Sequence, residues 1–153
     1  SKISTGRSRT LPTPPPTSRR SERNEVRTRL IDALIEVAEA RGFQVRWHRG
    51  GPKAAWLPQQ RAVTVRHGMA DAETLCALAH ELGHAHYGDP AGHDRRYEQR
   101  ADRFAASVLI SPVEYALAEQ TYGTHPARLA AELGVTVHMI RTWRAMHQTK
   151  IPA

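Results

Sequence analysis

The 153-residue chain has one cysteine, Cys76, so no internal disulfide can staple it. No segment approaches the run of about 18 to 20 apolar residues that a membrane span needs, and the first residues lack the apolar stretch of a secretory signal. The expected setting is therefore a reducing cytoplasm with no membrane partner. Aromatic residues are scarce at 6%, so the core must be built mainly from Leu, Ala, Val and Ile. The length suits one domain with a tail and hardly two. Acidic side chains are outnumbered, 15 against 22, for a net charge of +7. Residues 1–25 alone supply +4, from Lys2, Arg7, Arg9, Arg19, Arg20 and Arg23 against Glu22 and Glu25, and the remaining +3 reads as ordinary for a folded domain.

Residues 1–23 are rich in Ser, Thr, Pro and Arg, with Pro14-Pro15-Pro16 and few aliphatic side chains. They cannot bury enough apolar surface to offset their ordering entropy, and they read as a disordered arm. From residue 24 Val26, Leu30, Ile31, Leu34, Ile35 and Ala38 recur at helical spacing until Gly42. Three β-like runs follow, Phe43–His48, Lys53–Leu57 and Arg61–Arg66, broken by Gly50-Gly51-Pro52 and Pro58-Gln59-Gln60. Short breaks between short strands predict an antiparallel meander, with Trp47 and Trp56 plugging it against the first helix. Helices are expected from Asp71, which is placed to cap the first of them, to Gly88, then over about Arg95–Ile110 and Val113–Gln120. In the last segment Ala130, Gly134, Ile140 and Trp143 stand where a helix-turn-helix needs a small residue, a turn glycine and two anchors, and Thr136 can cap its second helix.

The stretch Asp71–His84 closes on His80-Glu81-Leu82-Gly83-His84, an HExxH motif. On a helix this spacing puts two imidazoles on one face, where both reach one zinc ion, with Glu81 beside the open position as general base. Gly83 permits another element to come close. Cys76 lies one turn before His80, but Cys, His and His over two turns of one helix would crowd an ion, so it reads as a small buried hydrophobe. For the third ligand the chain offers His86, Asp89, His93, Asp94, Glu98 and Asp102. His86 is two residues from His84 and points elsewhere. A metzincin would need Gly and His where the chain has Tyr87 and Pro90. Glu98 lies on the next helix, with Asp102 one turn further on the same face and Ala101 and Ala105 allowing close packing. Glu98 is the assigned third ligand, and Asp102 is assigned as acceptor for the non-ligating nitrogen of a zinc histidine.

HELGH, then ExxADxFAAxxLxxP beginning at Glu98, then a small helix-turn-helix-like end, resembles the ImmA/IrrE family of metallopeptidases over about residues 24–147. The resemblance implies Zn2+ held by His80, His84 and Glu98, Glu81 as the catalytic glutamate, and a gluzincin-like core. It also implies a bacterial, phage or mobile-element setting and action on helix-turn-helix transcriptional repressors. The expected fold class is α+β: an N-terminal helix, a small three-stranded antiparallel sheet, the HExxH helix and the ExxAD helix, then helix-turn-helix-like helices. The expected division is an arm over 1–23, a zincin-like core over 24–122, and a segment over 123–153 packed on that core.

These readings lead to a zinc-dependent metalloendopeptidase that cleaves or regulates a specific protein. The strand Arg61–Arg66, taken as an edge, would hold the substrate backbone by β-augmentation. Tyr87, Tyr97, His86 and His93 are the candidates to stabilise the carbonyl oxygen. The alternative is a non-catalytic regulator that binds DNA or a repressor, using Arg128, Arg141 and Arg144 for weak contacts to nucleic acid or a partner.

Overall fold

The computed structural model describes residues 18–147, so most of the expected arm and residues 148–153 lie outside the described residues. Helix α1 (Arg19–Ala40) begins five residues before the expected Asn24. Ser18 explains the earlier start: its Oγ accepts from the Ser21 N–H at 3.3 Å, and Glu22 complements the dipole of the first turn.

Strands β1 (Gln44–His48), β2 (Ala54–Leu57) and β3 (Ala62–Arg66) form one sheet in the order β1-β3-β2. β3 runs parallel to β1 and antiparallel to β2. The sheet is therefore mixed, not antiparallel, and the strand expected at the edge is the central one. The connections explain this order. A 3-10 turn, Pro58–Gln60, and Arg61 at φ 48 fold β2 directly onto β3 as a hairpin. The longer β1–β2 loop carries Gly50 and Gly51 at φ 63 and 69 and spans the width of the intervening strand, two strand spacings of about 4.8 Å. β3 is the most buried strand, with Ala62, Val63 and Val65 fully buried, and it takes the position where both backbone edges are paired. His48 fastens the loop: Nδ1 lies 2.6 Å from Thr64 Oγ1 and Nε2 lies 2.7 Å from the Pro52 carbonyl oxygen. Trp56 packs as expected, edge-on to Phe43 at 5.7 Å. Trp47 does not. It stands on edge strand β1, sheltered by a single neighbour, and is 46% exposed.

Helix α2 (Asp71–Tyr87) starts after Ala70, which makes no side-chain cap. Asp71, expected as the cap, lies inside the first turn and acts with Glu73 on the helix dipole instead. Gly88, at φ 65, ends the helix. Helix α3 (Arg95–Leu109) is capped by Asp94 and α4 (Pro112–Tyr122) by Ser111. Helices α5 (Pro126–Leu133) and α6 (Val137–His147) meet at Gly134, and Thr136 Oγ1 accepts from the Met139 N–H at 3.3 Å. Among the described residues no helix is long and apolar enough to cross a membrane.

Helix α2 is the element every layer touches. Leu75, Leu78 and Leu82 pack with Ile31, Val63 and Val65, between α1 and the sheet. Cys76 and Ala79 pack with Ala105, Ala106, Leu129, Ile140 and Trp143 from α3, α5 and α6. Cys76 is thus the small buried hydrophobe its position suggests. Where α2 crosses α3, a Cβ on Gly83 would lie 3.0 Å from Ala101 Cα and 3.2 Å from Phe104 Cδ1. Two helix backbones cannot yield there as a flexible side chain would. Gly83→Val should therefore cost about 2 kcal/mol in urea unfolding through overpacking, despite the helix propensity gained. Unchanged stability would show that the two helices are not in this contact.

Candidate metal centre

Residues four apart on α2 bring the His80 and His84 rings to 4.9 Å between centroids, at 83° to one another. The close α2–α3 crossing carries Glu98 to them: Glu98 Oε2 lies 2.8 Å from His80 Nε2, and Glu98 Oε1 lies 3.2 Å from His84 Nε2. One ligand atom from each residue falls within 4.8 Å of the others. A tetrahedral zinc ion with bonds of about 2.0–2.1 Å sets its ligand atoms about 3.3 Å apart, so this donor set fits the ion.

The outer nitrogens decide which ring atom faces the centre. His80 Nδ1 donates to Asp102 Oδ1 at 2.7 Å, where the spacing argument placed Asp102. His84 Nδ1 donates to Asp89 Oδ2 at 2.9 Å. With both Nδ1 atoms so engaged, both Nε2 atoms point at Glu98. Asp89 is one of the six candidates that the sequence offers, and spacing alone assigns it no role. It is 2% exposed, pairs with Arg100, and its carbonyl oxygen accepts from Trp56 Nε1 at 2.7 Å. The available signal was Gly88: a left-handed helix end reverses the chain and returns the next side chain toward the last turn. His138 was missed as well. From α6 it donates Nε2–H to Asp102 Oδ2 at 2.8 Å, tying the C-terminal helices to the site.

The electrostatics follow from this packing. Burial lowers the proton affinity of His80, but the Asp102 hydrogen bond and the charges of Glu81, Asp102 and Glu98 outweigh it and raise the imidazole from 6.5 to about 8. Burial pushes the Glu81 carboxyl up, against the opposing pull of His80 and His84. For Asp102 burial acts upward too, but the hydrogen bonds from His80 and His138 prevail and hold the carboxyl low.

A cleft of about 200 Å³ opens in front of these groups, lined by Glu81, His84, Glu98, His93, Pro90 and residues 52 and 54–56 of β2 and its approach. The strand beside the site is thus β2, a true edge, and not Arg61–Arg66. His93 is on the cleft wall, with Nδ1 3.6 Å from Glu98 Oε1. The other three carbonyl-oxygen candidates make contacts of their own. His86 stacks on Phe104, Tyr87 lies under Arg100, and Tyr97 lies near Arg96 and Arg100. In the C-terminal helices Arg144 donates to Tyr115 Oη at 2.7 Å and to the Thr124 carbonyl, Arg128 pairs with Glu132 and lies over Tyr122, and Arg141 is exposed.

In metal-free protein the raised His80 pKa gives a definite sign. The folded state holds an extra proton between pH 6.5 and about 8, so that stabilisation is complete below 6.5 and is lost as pH rises through 8. The melting temperature of chelator-stripped protein should fall across this interval, and Asp102→Asn should flatten the fall. Zinc requires neutral imidazoles, so in excess zinc the melting temperature should rise over the same interval. A metal-free melting temperature that climbs with pH would contradict this balance of charges.

A family described as the IrrE N-terminal-like domain matches residues 38–142, a span from the end of α1 into α6 that includes all of the metal-site residues above. No curated protein matches the chain. With its paired motifs brought together at one centre, the chain belongs to the ImmA/IrrE peptidase family.

Proposed function

We propose that the protein is a zinc-dependent metalloendopeptidase acting on a specific protein, a helix-turn-helix transcriptional repressor by the family resemblance. The observation that carries the reading is the half-buried Glu81 carboxylate, which lines one cleft together with His84, Glu98 and residues of the edge strand β2. A purely structural metal site, closed by protein ligands, has no need of such a group.

His80, His84 and Glu98 would hold the ion. When bound, zinc supplies a Lewis acid that polarises the scissile carbonyl and acidifies water. The chain's own groups do the rest. The edge of β2, Ala54–Leu57, pairs with the extended substrate backbone, the role first expected of β3. Glu81 takes a proton from the attacking water as the C–O bond forms. It returns that proton to the amide nitrogen as the C–N bond breaks. Its raised pKa suits both halves of the transfer, because a weakly basic carboxylate would hold the proton too loosely to deliver it. His93, on the cleft wall, is the donor placed to meet the carbonyl oxygen.

The non-catalytic alternative keeps the same ligand set and dispenses with Glu81. Incubating the chain with a cognate repressor and following product by mass separates the two readings. Glu81→Gln should keep full zinc content and fold while lowering cleavage by at least about 100-fold. Cleavage at the wild-type rate in this variant would sink the mechanism, and repressor binding with no product from the wild type would favour the non-catalytic regulator.

A further inference from the structure

The positive charge of the chain is concentrated in one structural unit. Between Arg41 and Ala70, which span the whole sheet, there are six Lys and Arg residues and none of the chain's 15 carboxylates. The excess outside the arm therefore sits in these 30 residues and is not spread over the domain, as an even reading of +3 would have it. The six are Arg41, Arg46, Arg49, Lys53, Arg61 and Arg66. Among the described residues only Lys53 reaches a carboxylate, Glu73 at 3.3 Å. Arg46 donates to the neutral side chains of Gln44 and Gln60, Arg66 to the Gly51 carbonyl, and Arg61 lies over the Phe43 ring.

Sheet register puts these cations on an open face. Val45, Val63, Val65, Ala54 and Trp56 share the side that α1 and α2 cover. Gln44, Arg46, His48, Thr64 and Arg66 alternate with them and point the other way. No described helix packs on that second face, and Arg49, exposed in the β1–β2 loop, follows β1 directly in the chain. Over a strand of five residues, about 16 Å long, it presents guanidinium forks with Gln, Thr and His48 groups between them, Ala55, Leu57 and Ala62 beside them, and no Phe, Tyr or Trp side chain.

We propose that this open face binds the phosphate backbone of duplex DNA without reading its sequence. Duplex DNA carries one charge per about 1.7 Å of axis, a density that unpaired guanidinium groups neutralise with release of counterions. Planar forks suit phosphate oxygens, and the polar side chains between them position rather than specify. Single-stranded binders add aromatic platforms on which bases stack; this face has no Phe, Tyr or Trp, and its one imidazole, His48, is held at both ring nitrogens by Thr64 and the Pro52 carbonyl. The helices lie on the opposite side of the sheet, so a duplex held here does not cover α2.

The test is fluorescence anisotropy of the full chain with a labelled 20-base-pair duplex of arbitrary sequence, measured from 50 to 200 mM salt. The expected result is binding whose logarithm falls against log salt with a slope between about −2 and −3, as three phosphate contacts by Arg46, Arg49 and Arg66 require. Arg46→Ala with Arg66→Ala should weaken binding at 50 mM by at least about tenfold and bring the slope to about −1. The charge-preserving pair Arg46→Lys with Arg66→Lys should keep the wild-type slope. Zinc content and circular dichroism of each variant report the fold, and Arg49→Ala, in the exposed loop, gives an independent variant with a slope reduced by about one. Wild-type binding in the double alanine variant would overturn the proposal, because the N-terminal arm would then be the binder. No binding at 50 mM, tighter binding to the single strand, or equal binding to a labelled polyglutamate would also overturn it.

Discussion

The contact between Gly83 on α2 and Ala101 on α3 is the constraint on which the rest of the site depends. HExxH on one helix supplies two imidazoles and no more. A third donor must come from elsewhere, and only a backbone-to-backbone crossing lets the Glu98 carboxylate reach both Nε2 atoms, at 2.8 and 3.2 Å. The small residues at the crossing are the means. Gly83 lacks the Cβ that would meet α3, and Ala101 and Ala105 are fully buried against α2. Packing and chemistry are here one requirement, since the distance that closes the core also sets the distance between ligand atoms.

Around that crossing two carboxylates hold the rings, each anchored from a different part of the fold. Asp102 joins His80 to His138 on α6, and Asp89 joins His84 to Arg100 on α3, while its backbone carbonyl meets Trp56 on β2. The site is thus tied to the sheet on one side and to the C-terminal helices on the other. An imidazole fixed at Nδ1 loses little rotational freedom on ligation, so these bonds favour metal binding by preparing the geometry beforehand. The cleft opens between these anchors, beside the unpaired edge of β2.

Much of this centre could be read from the chain because it rests on helical periodicity, which is local. His80 and His84 at i and i+4, and Glu98 and Asp102 at i and i+4, occupy shared faces whatever surrounds them. The sheet was legible as three strands but not in its order. Alternation records which residues face inward and is silent on which strand lies in the middle, so it places neither β3 at the centre of the sheet nor Trp47 on an exposed edge strand. Asp89 and His138 share that difficulty. Asp89 acts through the reversal at Gly88, and His138 meets Asp102 across 36 positions of sequence, so neither has a periodic signature. The cationic face was hidden for a different reason, since net charge divided at the arm conceals a cluster that only the strand register gathers.

Two imidazoles and a carboxylate converge on one point, the place of a single metal ion. Zinc K-edge absorption on purified protein, with elemental analysis of the same sample, tests this most directly. One zinc per chain is predicted, with a first shell of nitrogen and oxygen alone at about 2.0–2.1 Å and outer-shell scattering from two imidazoles. A sulfur scatterer at about 2.3 Å would bring Cys76 out of the core and into the site, and protein that takes up no zinc would leave the crossing of α2 and α3 without the purpose assigned to it.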